Sequence, residues 1–169
     1  MTDKKNTVYL KSIRFLEKIE DSLLIALLLI MISMAVLQII LRNLFDSGIL
    51  WADPLVRTLV LWIGLIGAMI ASRNNHHINI DIITRYLPGL AQKISTLIIC
   101  IFAAAVCSIM TWFSVAFVRM EKQDGMTAFA DIPVWICESI IPVAFAVISV
   151  RYILLSFSAL KDIFMQADQ

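Results

Sequence analysis

From Ile94 to Val118 the chain runs for 25 residues without a charged side chain. No other feature constrains its folding as much. A helix rises about 1.5 Å per residue, and a bilayer's hydrocarbon core is about 30 Å thick, so about 20 apolar residues suffice to cross it. Ser22 to Leu41 gives a second such run, 20 residues between Asp21 and Arg42. A third reads from Pro54 to Ser72, with Arg57 near one interface, and a fourth from Ile132 to Val150, with Glu138 inside it. The fourth can continue past Arg151 to Leu160. The predicted fold is therefore an all-α integral membrane protein with four transmembrane helices, at about 22–41, 54–72, 94–118 and 132–150, forming one domain over residues 1–169. Composition agrees: 60% of residues are hydrophobic and 16% charged, more apolar than soluble domains on both measures. Disorder is excluded on the same ground.

An even number of spans puts both termini on one side. Ten of the 14 Lys and Arg residues fall on that side, including Lys4, Lys5, Lys11, Arg14 and Lys18. The positive-inside rule then makes both termini cytoplasmic. Lys11, Arg14 and Lys18 share one helical face and Tyr9, Ile13 and Leu16 another, which predicts an amphipathic N-terminal helix on the inner leaflet. The run after it is long and lacks a cleavage-site pattern, so it reads as a retained anchor rather than a signal peptide. Between spans two and three, Ile78, Ile80, Ile82, Ile83, Tyr86 and Leu87 form the apolar half of an amphipathic connector helix stopped by Pro88-Gly89.

Few residues offer chemistry. Cys100, Cys107 and Cys137 lie in apolar runs without a C-x-x-C pair, which argues against a thiol oxidoreductase. His76 and His77 are adjacent and so diverge on a helix, a poor metal chelate. No histidine lies in a span to ligate haem. With net charge +1 and no dense basic block, nucleic acid is not an expected partner. No cofactor, metal or catalytic residue is expected, and the chain reads as a non-enzyme.

Glu138 is the acidic residue deep in a span. An intramembrane carboxylate calls for a partner. Three readings stay open: an ion pair within the chain, to Arg57 or Arg42; a contact with another subunit; or a proton relay. Trp51 suits an interfacial anchor. Asp53 reads as an N-cap with Pro54 at the first helical position, four residues from Arg57. Gly64/Ala68 and Gly67/Ala71 are small-x-x-x-small pairs that let another helix come close.

Taken in order, Arg42-Asn43-Leu44-Phe45, Trp51-Ala52-Asp53-Pro54-Leu55-Val56-Arg57, Leu61-Trp62-Ile63-Gly64, Gly67-Ala68 and Arg73…His77-Ile78-Asn79-Ile80-Asp81 form a pattern. It resembles the small membrane (Q-type) subunit of tripartite ATP-independent periplasmic (TRAP) transporters. The motifs run from Arg42 to about Pro88, and the length and four-helix layout extend the likeness over the chain. One departure stands out: the family often has two acidic residues after the Trp, whereas this chain has Asp53 followed by Pro54. The resemblance implies a bacterial inner-membrane subunit beside a large multi-helix permease subunit that carries the substrate and sodium sites. A periplasmic binding protein would deliver an organic acid anion, such as sialic acid or a C4-dicarboxylate. This chain would be a non-catalytic scaffold for the large subunit, in contact with membrane lipids, and would help dock the binding protein. The resemblance also makes Arg73, His77 and Asp81 a cytoplasmic loop motif. Two other readings compete: a small homodimeric four-helix exporter coupled through Glu138, and an envelope assembly or redox factor.

Overall fold

The computed structural model describes residues 2–45, 48–74 and 89–167. Helix α1 covers Thr2–Phe45, α2 Ala52–Asn74 and α3 Gly89–Asp124. A short hairpin of β1 (Thr127–Phe129) and β2 (Ile132–Pro133) leads into α4 (Val134–Glu138) and α5 (Ile140–Ala167). Four stretches are long and apolar enough to cross a membrane: Glu17–Phe45, Ala52–Arg73, Ile94–Asp124 and Val134–Lys161. These are the four expected spans, each longer than its uncharged run. Helices do not stop where lipid does, because Glu, Lys and Arg are good helix formers.

Three boundaries depart from the sequence reading. The expected separate N-terminal helix is instead the first part of α1, which runs unbroken for 44 residues. Thr2–Phe45 contains neither glycine nor proline, so nothing ends the helix between the two parts. Helix α2 starts at Ala52, whose N–H bonds the Ile49 carbonyl at 3.0 Å. Asp53 therefore sits in the first turn rather than at the cap, and Pro54 falls among the N–H positions that lack helical partners anyway. The third departure is in the fourth span. Ile132 and Pro133 are strand, and the helix that follows is interrupted at Ser139. Pro142 accounts for the interruption: it has no N–H for the Glu138 carbonyl, and its ring crowds that group. The connector helix expected around Ile78–Leu87 lies outside the described residues.

Contacts run in a row, α1 on α2, α2 on α5, and α5 on α3, the last being the most extensive. The result is a layer of helices with a thin interior. Met69, Ala144 and Ile148 form its buried centre, with Leu65, Cys107, Val147 and Tyr152 packed around them. Small residues bring α3 and α5 together: Ala104 and Ala144 are buried, and the Ser108 and Ser149 hydroxyls meet at 2.7 Å. Such small-residue contacts and interhelical hydroxyl bonds hold helices together where lipid removes the hydrophobic drive. Large apolar side chains face outward, among them Leu29, Ile39, Phe102 and Trp112. In water that surface would be untenable; against acyl chains it costs nothing.

Candidate functional site

Polar groups gather at the two ends of the layer, and an open helix face lies between them. At the end that carries both termini, α1, α2 and α5 are tied by charge. The Arg151 guanidinium donates to Glu20 at 2.6 Å. It also bonds the Met69 carbonyl and the Ser72 hydroxyl, the latter at 3.2 Å. Arg73 bonds Asp21 at 2.9 Å and Glu20 at 3.5 Å, and reaches the Glu17 carbonyl at 3.3 Å. Glu20 thus bridges two arginines from two other helices. Its side chain is 17% exposed, against 24% for Arg151. At that burial the pairing is strong enough to matter, unlike a solvated surface pair.

The sequence reading assigned Arg73 to a loop motif and treated Arg151 only as a charge that orients the protein. The structure places Arg73 in the last turn of α2 and makes both arginines parts of one cluster. His77 and Asp81 lie outside the described residues. The missed partners, Glu20 and Asp21, had a signal. They open the first apolar run, Arg73 closes the second, and alternating span directions bring those two levels together.

At the opposite end, Trp62 in α2 donates its indole N–H to the Cys137 carbonyl at 2.8 Å, which fastens α2 to α4. The C-terminus of α4 frees carbonyls of this kind, so the interruption at Ser139 supplies the acceptor. One residue on is Glu138. Its Oε2 is buried with no hydrogen-bond partner among the described residues. The expected pair with Arg57 or Arg42 is not formed among the described residues. Both arginines are exposed, Arg57 on the outer face of α2, while Glu138 rides on α4 beneath the hairpin. No ion pair joins Asp53 to Arg57 among the described residues, and Asp53 is exposed as well. Trp51, 45% exposed, stands just before α2.

The hairpin is held by tight local geometry. Gly125 ends α3 with φ 64°, and Ala130 and Asp131 turn the chain with φ 46° and 61°. Two consecutive left-handed residues make the kind of turn that matches strand twist. Lys122 sits 5.1 Å over the Trp135 ring, within cation–π range.

Along α2 the residues Asp53, Arg57, Val60, Gly64, Ala68 and Ala71 follow steps of three and four, so they share a face, and all are exposed. A Cβ added at Gly64 would meet nothing within 4 Å. Of the four small residues expected to pack a helix, Gly64, Ala68 and Ala71 lie on this open face, while Gly67 is half-buried beside it. Within the described chain no helix uses the groove they make.

Comparison with known proteins bears on that surface. A family model described as "Tripartite ATP-independent periplasmic transporters, DctQ component" matches residues 24–162. The chain is 27% identical over 164 residues to a TRAP transporter small permease protein of Haemophilus influenzae, covering 96% of each chain. It is 25% identical over 130 residues to the sialic acid TRAP transporter permease protein SiaT of the same species, covering 72% of this chain but 21% of the relative. A similar partial match, 26% over 106 residues, covers 62% of this chain and 17% of the isethionate TRAP transporter permease protein DctMQ of Oleidesulfovibrio alaskensis. In the last two, the region like this chain is a small part of a much longer permease polypeptide.

Proposed function

The chain belongs to the DctQ-component family of tripartite ATP-independent periplasmic transporters, as a small permease subunit and not an enzyme, and from that premise we propose that it scaffolds a large transport subunit in a bacterial inner membrane. The observation that carries this is the open face of α2, where Gly64, Ala68 and Ala71 leave room for a helix that the described chain does not supply. Small-residue faces allow close approach and are worth little unless another helix fills them. The long relatives add support: a segment like this chain is continuous with a larger permease in each. Poverty of polar groups points the same way. A path for a charged solute needs several convergent polar side chains, and the described interior of this layer is apolar but for Ser72, Ser149 and their neighbours.

In this reading the transported solute binds in the partner and is an organic anion. Its entry is coupled to sodium, and a periplasmic binding protein delivers it. The relatives' names include sialic acid, a carboxylate, and isethionate, a sulfonate, so the class is wider than carboxylates. Both termini face the cytoplasm, as the excess of Lys and Arg on that side supports. Glu138, with an oxygen that has no partner among the described residues, would take its donor from the assembled transporter. The family assignment displaces the homodimeric exporter and the redox factor.

The test is co-purification from native membranes with the doubly substituted chain Gly64→Leu/Ala68→Leu. Both replacements are apolar and helix-compatible, so insertion is preserved. The large subunit recovered with the tagged chain should fall at least about tenfold, in line with a few kcal/mol lost from a close-packed interface, while the chain's membrane level stays as in wild type. Full recovery would remove the α2 face from the interface. Recovery of this chain alone, active by itself in liposomes, would overturn the subunit reading.

A further inference from the structure

The polar bonds that tie α2 to its neighbours all grip it from behind the open face. Trp62 donates its indole N–H to the Cys137 carbonyl of α4 at 2.8 Å. Farther in, the Met69 carbonyl and the Ser72 hydroxyl take Arg151 from α5. Arg73, in the last turn, reaches Glu20, Asp21 and the Glu17 carbonyl on α1. At about 100° of turn per residue, Trp62, Met69 and Arg73 stand about 160°, 140° and 180° round the helix from Gly64, and Ser72 about 80°. Ala68 and Ala71 stand within about 40° of Gly64. The bonds hold the back of α2, and the small-residue face is what they turn outward.

Apolar packing fixes this rotation poorly. Val60 on the open face and Leu59 on the covered one are both large and aliphatic. In lipid such a side chain gains little by exchanging acyl chains for a neighbouring helix. Polar groups have no such freedom. Turning α2 about its axis would put the Trp62 N–H into hydrocarbon, which offers no acceptor. It would also part Arg151 from the Met69 carbonyl and Ser72, and Arg73 from its two carboxylates. The grips come from α1 on one side and from α4 and α5 on the other, so neither sense of rotation relieves them.

We infer that Trp62, Arg73 and Arg151 are positioning residues for assembly: together they set the rotation of α2 that presents Gly64, Ala68 and Ala71 to the partner. Giving that face to the partner rests on the function proposed above; the orienting role does not.

The test reads rotation without the partner. A nitroxide is attached at Ala68→Cys, or at Ile70→Cys about 200° round the helix, in the full chain reconstituted into lipid with its native cysteines replaced by alanine. Collision with dissolved oxygen should be more frequent at 68, which is exposed, than at 70, which is half-buried. Trp62→Phe keeps a ring and loses the donor; Arg151→Met keeps an unbranched stem and leaves Glu20 its bond to Arg73. Together they should lower the 68-to-70 ratio by at least about threefold, the weight of one intramembrane hydrogen bond in an equilibrium. Recovery of the large subunit should fall as well, although the groove is untouched. Arg151→Lys in place of Arg151→Met returns a charge and a donor, and should restore part of both. An unchanged ratio in the double variant overturns the orienting role. If that variant is lost from the membrane, Trp62→Phe alone decides, since its ratio falls only if the bond orients α2. A lowered ratio with full recovery of the large subunit upholds the orienting role and removes the α2 face from the interface, so the two readings fail separately.

Discussion

Arg151 and Glu20 lie 131 residues apart and meet at 2.6 Å, and this pair holds α1 to a helix with which it otherwise has little to share. Removing Glu20 leaves Arg151 half-buried and without its carboxylate, whereas Glu20 without Arg151 keeps Arg73. Glu20→Gln should therefore destabilise the chain by about 2–3 kcal/mol, given partial exposure. Glu20→Gln combined with Arg151→Gln should cost less than the sum of the two single changes. A double-mutant cycle on detergent unfolding reads the coupling directly; strict additivity would mean that the pair contributes nothing. Glu138 poses the opposite case. Its buried oxygen has no partner among the described residues, so Glu138→Gln should leave the isolated chain as stable as wild type or slightly more so. In the assembled transporter the same change should weaken recovery of the partner if the carboxylate meets a donor there. Comparing Tm for the isolated and assembled forms separates the two effects. The sequence marked Glu138 as a residue in need of a partner, because an intramembrane carboxylate is expensive wherever it sits. The choice of Arg57 or Arg42 did not follow, since helix azimuth is decided by contacts with other helices.

At the scale of elements, the interruption at Ser139 and the hairpin before it shape the end opposite the termini. Pro142 denies the Glu138 carbonyl its helical donor, and Trp62 takes up the freed Cys137 carbonyl next to it. Pro142→Ala should let α4 and α5 join, so that the amide introduced at position 142 bonds the Glu138 carbonyl and exchanges slowly, and should shift the Trp62 environment as the Cys137 carbonyl is drawn into the helix. Fast exchange at that new amide would mean that packing, not proline, sets the break. In the hairpin, Ala130 has φ 46°, a conformation costing a non-glycine residue about 1 kcal/mol. Ala130→Gly should therefore raise stability by up to that amount, while Gly125→Ala, at φ 64°, should lower it by about as much. Both are read as Tm changes of opposite sign. The proline was visible in the sequence as a helix breaker; the strand pairing was not, because Thr127–Phe129 and Ile132–Pro133 are too short to show a period.

For the whole molecule, the layer arrangement matters more than any one contact. In the first span's most apolar stretch no residue is buried, and the second and fourth reach only 22%. Lipid tolerates such a surface, but a layer this thin gains little from its own packing. Binding to one state stabilises it by mass action, so the chain with its partner should melt well above the isolated chain, by about 4–8 °C at saturating partner. Equal melting temperatures would argue that the open α2 face meets only lipid.

The number, order and approximate limits of the spans were determined by the sequence alone, and so was the likeness to the family. Transfer of a helix into lipid is a sum over adjacent residues, and no distant part of the chain alters it. The unbroken course of α1 was equally local, written in the absence of glycine and proline from Thr2 to Phe45. What only the tertiary structure decided was which side chains meet. Glu20 takes Arg151 and Arg73, Glu138 is left without Arg57, and Gly64, Ala68 and Ala71 stay uncovered. Each depends on the rotation and depth of one helix against another, and those are set by the packing of all the helices together.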